Sequence, residues 1–230
     1  MRTLLLLLFP LYTLAQSPAY DQVQQDLRVL ATGNQSLADH VVTFDARYEG
    51  VEGSPFLWEG WAVGEIFLSE NRNINKNIQF RFDVAENELH VRSKTDSTVV
   101  KILDNAEIIT VAVRSPQGAV TLRQLDIPGE ADDRLYMQQY LGEQYELLVL
   151  PVKKLRKADY NHPIAGLKRS DEWLYDEKYF IRKGNNFTKV KLTRNSLKKA
   201  LPKRLEKELE KPAYDEITVA SVVRLLRQAE

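Results

Sequence analysis

Three features predict a mainly β protein of the α+β class, an antiparallel sandwich, roll or partly closed barrel ending in a C-terminal helical tail. Apolar and polar residues alternate with a period of two across much of 46–192, and strong turn residues separate these runs. At Thr193 the period changes to helical and stays so to the end. In the first main strand Trp61, Val63, Glu65 and Phe67 alternate with Ala62, Gly64, Ile66 and Leu68, so both faces are largely apolar. Residues 77–93 form a hairpin: Ile78, Phe80, Phe82 and Val84 alternate with polar residues, Ala85-Glu86-Asn87-Glu88 turns, and Leu89 and Val91 resume. Asn87 suits a left-handed turn position. Further strands are expected at Thr98–Leu103, Ile108–Val113 and Ala119–Leu125, the last two joined by the turn Ser115-Pro116-Gln117-Gly118. Beyond an acidic loop at Ile127–Asp133, Arg134–Leu141 and Tyr145–Val152 flank Gly142-Glu143-Gln144 as a hairpin. Lys153–Ser170 reads as a looser stretch, and Trp173–Arg182 and Phe187–Leu192 pair across Lys183-Gly184-Asn185-Asn186.

The tail, 193–230, carries Leu197, Leu201, Leu205 and Leu209 at four-residue intervals, one apolar stripe that Pro202 must break or kink. Thr218 caps a last helix in which Val219, Val222, Val223 and Leu226 share a face. Helices this short are marginal alone in water, so the tail is expected to dock on the sheet. At the other end, 16–45 is polar, with a short helix expected at Ala19–Ala31.

Residues 1–15 combine Arg2, the apolar run Leu4–Phe9 and the small-residue exit Thr13-Leu14-Ala15. That is the pattern of a secretory signal peptide cleaved before Gln16. The run falls short of the roughly 20 apolar residues that span a bilayer, and no later stretch is long enough either. Without cysteine there is no disulfide framework, thiolate metal site or lipidated cysteine. An exported chain of this size without cystines fits a bacterial envelope, periplasmic or extracellular and compatible with a peripheral place at the outer membrane. Nucleotide-driven cytosolic chemistry and nucleic-acid partners drop out of the expected functions.

Charge is sorted along the chain. Residues 16–150 hold 11 Lys+Arg against 21 Asp+Glu (−10), residues 151–230 hold 20 against 11 (+9), and Arg2 restores the net of 0. Two readings fit: a basic region for an anionic partner, or two halves that fold together and cancel.

Catalytic signatures are sparse. His40, His90 and His162 show no metal-ligand spacing. No Gly-x-Ser-x-Gly elbow nominates a nucleophile, and Gly60 and Gly64 fit no phosphate-binding loop. No cofactor, metal or catalytic residue is therefore assigned. The most distinctive segment is 48–61, YEGVEGSPFLWEGW. Its Tyr48, Phe56, Trp58 and Trp61 are the candidate partner-binding residues, because flat rings give large contact area at low entropic cost. The competing reading is a turn followed by core-filling aromatics.

The leader, the run Val51-Glu52-Gly53-Ser54-Pro55-Phe56-Leu57 leading to Trp61, and Glu88-Leu89-His90-Val91 are similar to a group of exported proteins common in Bacteroidota. Tyr179-Phe180-Ile181-Arg182-Lys183-Gly184 and the tail run Ser196-Leu197-Lys198-Lys199-Ala200-Leu201-Pro202 fit the same group. The resemblance covers about 51–226 and implies export and this layout, without any catalytic residue. The short, proline-bearing connection at Lys211-Pro212 departs from the pattern. Together these readings point to a non-catalytic envelope protein binding another protein or a cell-surface polymer. A hydrolase of envelope or imported polymers and a carrier of an apolar ligand are the alternatives.

Overall fold

The computed structural model describes residues 40–42, 48–69, 73–74, 78–94, 100–158 and 170–230. The leader, the helix expected at Ala19–Ala31 and His162 lie outside the described residues. The strands are β1 (His40–Val42), β2 (Ala62–Leu68), β3 (Asn73–Ile74), β4 (Ile78–Asp83), β5 (Glu88–Ser93) and β6 (Val100–Leu103). They continue as β7 (Ile108–Ser115), β8 (Gly118–Leu125), β9 (Arg134–Leu141), β10 (Tyr145–Arg156), β11 (Glu172–Lys183) and β12 (Asn186–Val190). They form one antiparallel sheet in the order β1-β6-β5-β4-β2-β7-β8-β9-β10-β11-β12, with β3 appended to β2. The protein is mainly β with a helical tail, as expected, and the sheet includes residues 40–42.

From β8 to β12 every strand pairs with its predecessor, and the β7–β8, β9–β10 and β11–β12 links are short turns. Asn87 takes the left-handed conformation (φ 60°) between β4 and β5, as its turn requires, and Gly184 does the same (φ 56°) between β11 and β12. Strand β2 joins the two runs, pairing with β4 at Ala62 and Val63 and with β7 along its length. Gly64 permits that second pairing, since a Cβ there would collide with the Ala112 carbonyl and the Val113 backbone.

One face of this sheet rolls onto itself. Phe80 and Phe82 of β4 and Leu89 and Val91 of β5 share a core with Val111, Leu122, Leu135 and Val149 from β7 to β10, and Trp58 joins them. The helical tail covers the adjoining part of the same sheet. It comprises α1 (Arg194–Ala200), a 3₁₀ turn at Lys203–Leu205, α2 (Glu206–Leu209) and α3 (Val219–Ala229). Leu197, Leu201, Leu205 and Leu209 pack with Val222, Leu225 and Leu226 onto Tyr145, Leu147, Ile181 and Val190. Pro202 lies at the break between α1 and the 3₁₀ turn, as expected. Thr218 caps α3 in a reciprocal box with Ser221, whose Oγ accepts from the Thr218 N–H at 2.8 Å. Among the described residues no helix is long and apolar enough to cross a membrane.

The opposite face of β9–β11 is also covered. Ile127, from the acidic loop, packs with Tyr136, Leu148, Leu150 and Phe180. Strand β10 is thus buried on both faces from Tyr145 to Pro151. It runs on to Arg156, so residues 153–156, expected to be loose, pair with 172–175 of β11.

Candidate functional site

The aromatic segment 48–61 is a strap between two distant parts of the sheet. At one end Glu52 bridges the start of β11, its N–H donating to Asp171 O (2.7 Å) and its carbonyl accepting from Trp173 N–H (3.0 Å). At the other end Leu57 N–H donates to Phe82 O (2.9 Å) and Val84 N–H to Pro55 O (3.0 Å), extending the sheet beside β4. Lys153 of β10 reaches under the strap and donates to the carbonyls of Ser54 (2.5 Å) and Phe56 (2.7 Å). Burial there lowers its pKa below the usual lysine value, with the Asp83 charge pulling the other way.

The strap buries the polar face of the β4–β5 hairpin. Register pairs Gln79 with Arg92, Arg81 with His90 and Asp83 with Glu88. Asp83 is 0% and His90 1% exposed. Asp83 Oδ1 accepts from the N–H groups of Ala85 (3.0 Å) and Glu86 (3.2 Å), and its Oδ2 from the Tyr48 hydroxyl (2.9 Å). His90 Nε2 lies 3.0 Å from Glu88 Oε2, and its Nδ1 lies 3.5 Å from Arg81 Nη2.

Asp83, Glu88 and His90 each present a ligand atom within 4.8 Å of the others, so their fit to a metal can be tested chemically. A guanidinium only donates, so the His90 ring presents to Arg81 a nitrogen whose N–H, if it carried one, would find no acceptor there. A metal-bound histidine donates the N–H of its other ring nitrogen onward, and with Nε2 turned to the carboxylates that N–H would be on Nδ1, where Arg81 cannot accept it. A divalent ion would also sit beside the Arg81 charge. The donor set does not fit a metal; it fits a hydrogen-bonded cluster that orders the hairpin and the strap.

The four aromatic candidates separate in the structure. Trp58 is 3% exposed and belongs to the core, as the competing sequence reading expects of it. Tyr48 is half-buried, its hydroxyl on Asp83 and its ring edge-on to Trp173 at 5.2 Å. Phe56 and Trp61 are half-buried on the outer face and stack with guanidinium groups. The Arg81 guanidinium lies 3.7 Å from the Phe56 ring centre and 4.8 Å from that of Trp61, and Arg92 lies 4.3 Å from Trp61. Arg92 Nε also donates to Gln79 Oε1 at 3.0 Å, which fixes its plane. The outcome is an ordered row of alternating rings and cations with Trp61 and Arg92 at its outer end.

Two further features come from strands that the sequence marks only by alternation. Val63, Glu65, Ala112, Arg114, Ala119 and Thr121 lie on one face of β2, β7 and β8 and line a shallow groove of about 520 Å³. Elsewhere two acids of the 16–150 part take partners, three of which, Arg182, Lys178 and Lys189, come from the basic 151–230 part. Buried Glu146 takes Arg123 (2.5 Å), Gln138 (2.5 Å) and Arg182 (3.3 Å), and Glu130 takes Lys178 (2.6 Å) and Lys189 (2.7 Å). Burial alone would raise the Glu130 pKa, but these two lysines outweigh it and hold it below the ordinary value. The nearby Tyr136 hydroxyl, buried without a hydrogen-bond partner among the described residues, is pushed up to about 12 by burial and then by Glu130.

No protein-family model, curated protein or solved structure matches the chain.

Proposed function

We propose that this chain is a non-catalytic cell-envelope protein that binds another protein or a cell-surface polymer through the face presented by Phe56, Trp61 and Arg92. The observation that supports this most is the row Phe56–Arg81–Trp61–Arg92, half-buried and held in place by stacking and by Gln79. Aromatic and arginine side chains fixed before binding lose little entropy on contact, which is what recognition surfaces select for. Tyr48 supports the row from below through Asp83, and Trp58 anchors the strap in the core. The envelope address rests on the leader pattern at residues 1–15.

The test is retention of envelope components by immobilised protein at low and high salt, compared with Trp61→Ala and Arg92→Ala. The expected result is a defined partner whose capture falls in both variants while their melting temperatures stay close to that of the parent. Turnover of a polymer substrate, with nothing retained at either salt, would overturn the reading in favour of a hydrolase.

A further inference from the structure

The turn between β9 and β10 is shaped around a carboxylate. Three successive backbone N–H groups converge on the side chain of Glu230: Glu143 (3.1 Å to Oε2), Gln144 (3.2 Å to Oε1, 3.0 Å to Oε2) and Tyr145 (3.2 Å to Oε1). Consecutive amides aimed at one point make an anion nest. Gly142 completes it, since a Cβ there would occupy the place of Glu230 Oε1 and crowd the Tyr140 hydroxyl.

Glu230 is out of keeping with its own helix. It caps the C-terminal end of α3, its backbone N–H donating to Leu226 O, where the helix dipole disfavours an acid. The nest offsets that cost. The occupant is nonetheless solvent-exposed, and the nest opens onto a cavity of about 220 Å³ lined by Leu141, Glu146, Arg182 and Gly184. The lining holds two acids, Glu143 and Glu146, the second already matched by Arg123 and Arg182, while on the basic side Lys183 lies 5.2 Å from the Tyr145 ring and Arg227 flanks Tyr140. Leu141, 63% exposed at the rim, offers apolar contact next to the carboxylate position.

We propose that the Gly142–Tyr145 turn is a binding site for an acidic peptide segment, kept closed by Glu230 acting as an internal competitor. The present occupant is itself a peptide glutamate, so geometry and rim chemistry match a glutamate flanked by apolar residues. A partner enters by displacing the Glu230 side chain, a single exposed group, while the rest of α3 stays docked through Leu225 and Leu226. This site is separate from the Trp61 row and stands or falls independently of it.

Backbone amide NMR shifts of Glu143, Gln144 and Tyr145 test the proposal. The probe is an N-acetylated, C-amidated peptide with one glutamate between leucines, its glutamine analogue being the control. In Glu230→Ala the glutamate peptide is expected to shift all three amides saturably, at concentrations on the order of tenfold lower than the parent needs, since an intramolecular competitor acts at high effective concentration. The glutamine peptide should shift none of them. Gly142→Ala, whose methyl fills the nest, should abolish the response, and Glu230→Gln, which keeps the side-chain length but leaves an uncharged and weaker occupant, should give an intermediate response if Glu230→Ala loosens the tail. Absence of shifts at these amides in both Glu230 variants overturns the proposal. So does an equal response to glucuronate, which would mark a general carboxylate nest with no peptide preference.

Discussion

At the scale of single residues, the groups that matter are polar side chains made to work in dry surroundings. Glu130 is 10% exposed and clamped by Lys178 and Lys189. Its pKa lies below the ordinary carboxylate value in the fold, because the two lysines outweigh burial. A carboxylate with a depressed folded pKa contributes stability that is complete above its unfolded value of 4.5 and is lost as pH falls through the folded value. Stability measured by denaturant titration should therefore fall on acidification below about pH 4.5. Glu130→Gln should flatten that acid limb while being less stable than the parent at pH 7. An unchanged acid limb in the variant would show that Glu130 is not the linked group. His90 shows what sequence could and could not supply. Its place on the hairpin follows from the alternation of Leu89, His90 and Val91, but a polar row of that kind reads as a solvated face. Burial to 1% involves the strap residue Phe56, whose ring lies edge-on to the His90 ring at 5.8 Å although it is 34 residues upstream. No local pattern encodes such a contact.

Among elements, the strap and the tail illustrate two kinds of legibility. The tail was readable because its stripe is local: four leucines at one spacing, a proline that must interrupt them, and a threonine that must cap. All three appear in place. Replacing Leu205, 6% exposed between helices and sheet, with Asp should cost about 2–4 kcal/mol, read as a lowered denaturation midpoint. An unchanged midpoint would mean that the stripe does not bear on the fold. The strap was visible only as an unusual composition. Its role depends on Lys153, which lies in a stretch whose consecutive charged residues break the period-two alternation that marks a strand, although they pair in register with Tyr175 and Leu174 of β11. Lys153→Met keeps the aliphatic stem and removes two charge-assisted bonds to the Ser54 and Phe56 carbonyls. The expected loss is about 2 kcal/mol. Hydrogen exchange should rise at Leu57 and Val84, whose amides join the strap to β4. Faster exchange confined to the helical tail would place the role of Lys153 elsewhere.

For the whole molecule, the question is whether sheet and tail form one cooperative unit. Their shared core says that they do: Tyr145, Leu147, Ile181 and Val190 of the sheet are buried by α1, α2 and α3, and Tyr179 contacts both this core and the rolled one. The link runs through β10, whose Leu147 serves the tail core and Val149 the rolled core, while Leu148 and Leu150 between and beyond them fill the opposite face. Charge follows the same route. Glu146 and Glu130, from the acidic part of the chain, are neutralised by Arg182, Lys178 and Lys189 from the basic part. Of the two readings of the charge sorting, mutual cancellation therefore has direct contacts behind it at these sites. A chain lacking 193–230 would leave a patch of tyrosine, leucine, isoleucine and valine open to water on β10–β12, and a patch of that kind drives association. The truncated protein is expected to bind a hydrophobic dye and to aggregate, whereas the full chain unfolds in a single transition. In native-state hydrogen exchange, amides of α3 and of β10 should then open with the same free energy, within about 1 kcal/mol. A tail that exchanges several kcal/mol more readily than β10, with the sheet left protected, would make it a separable lid rather than half of the core.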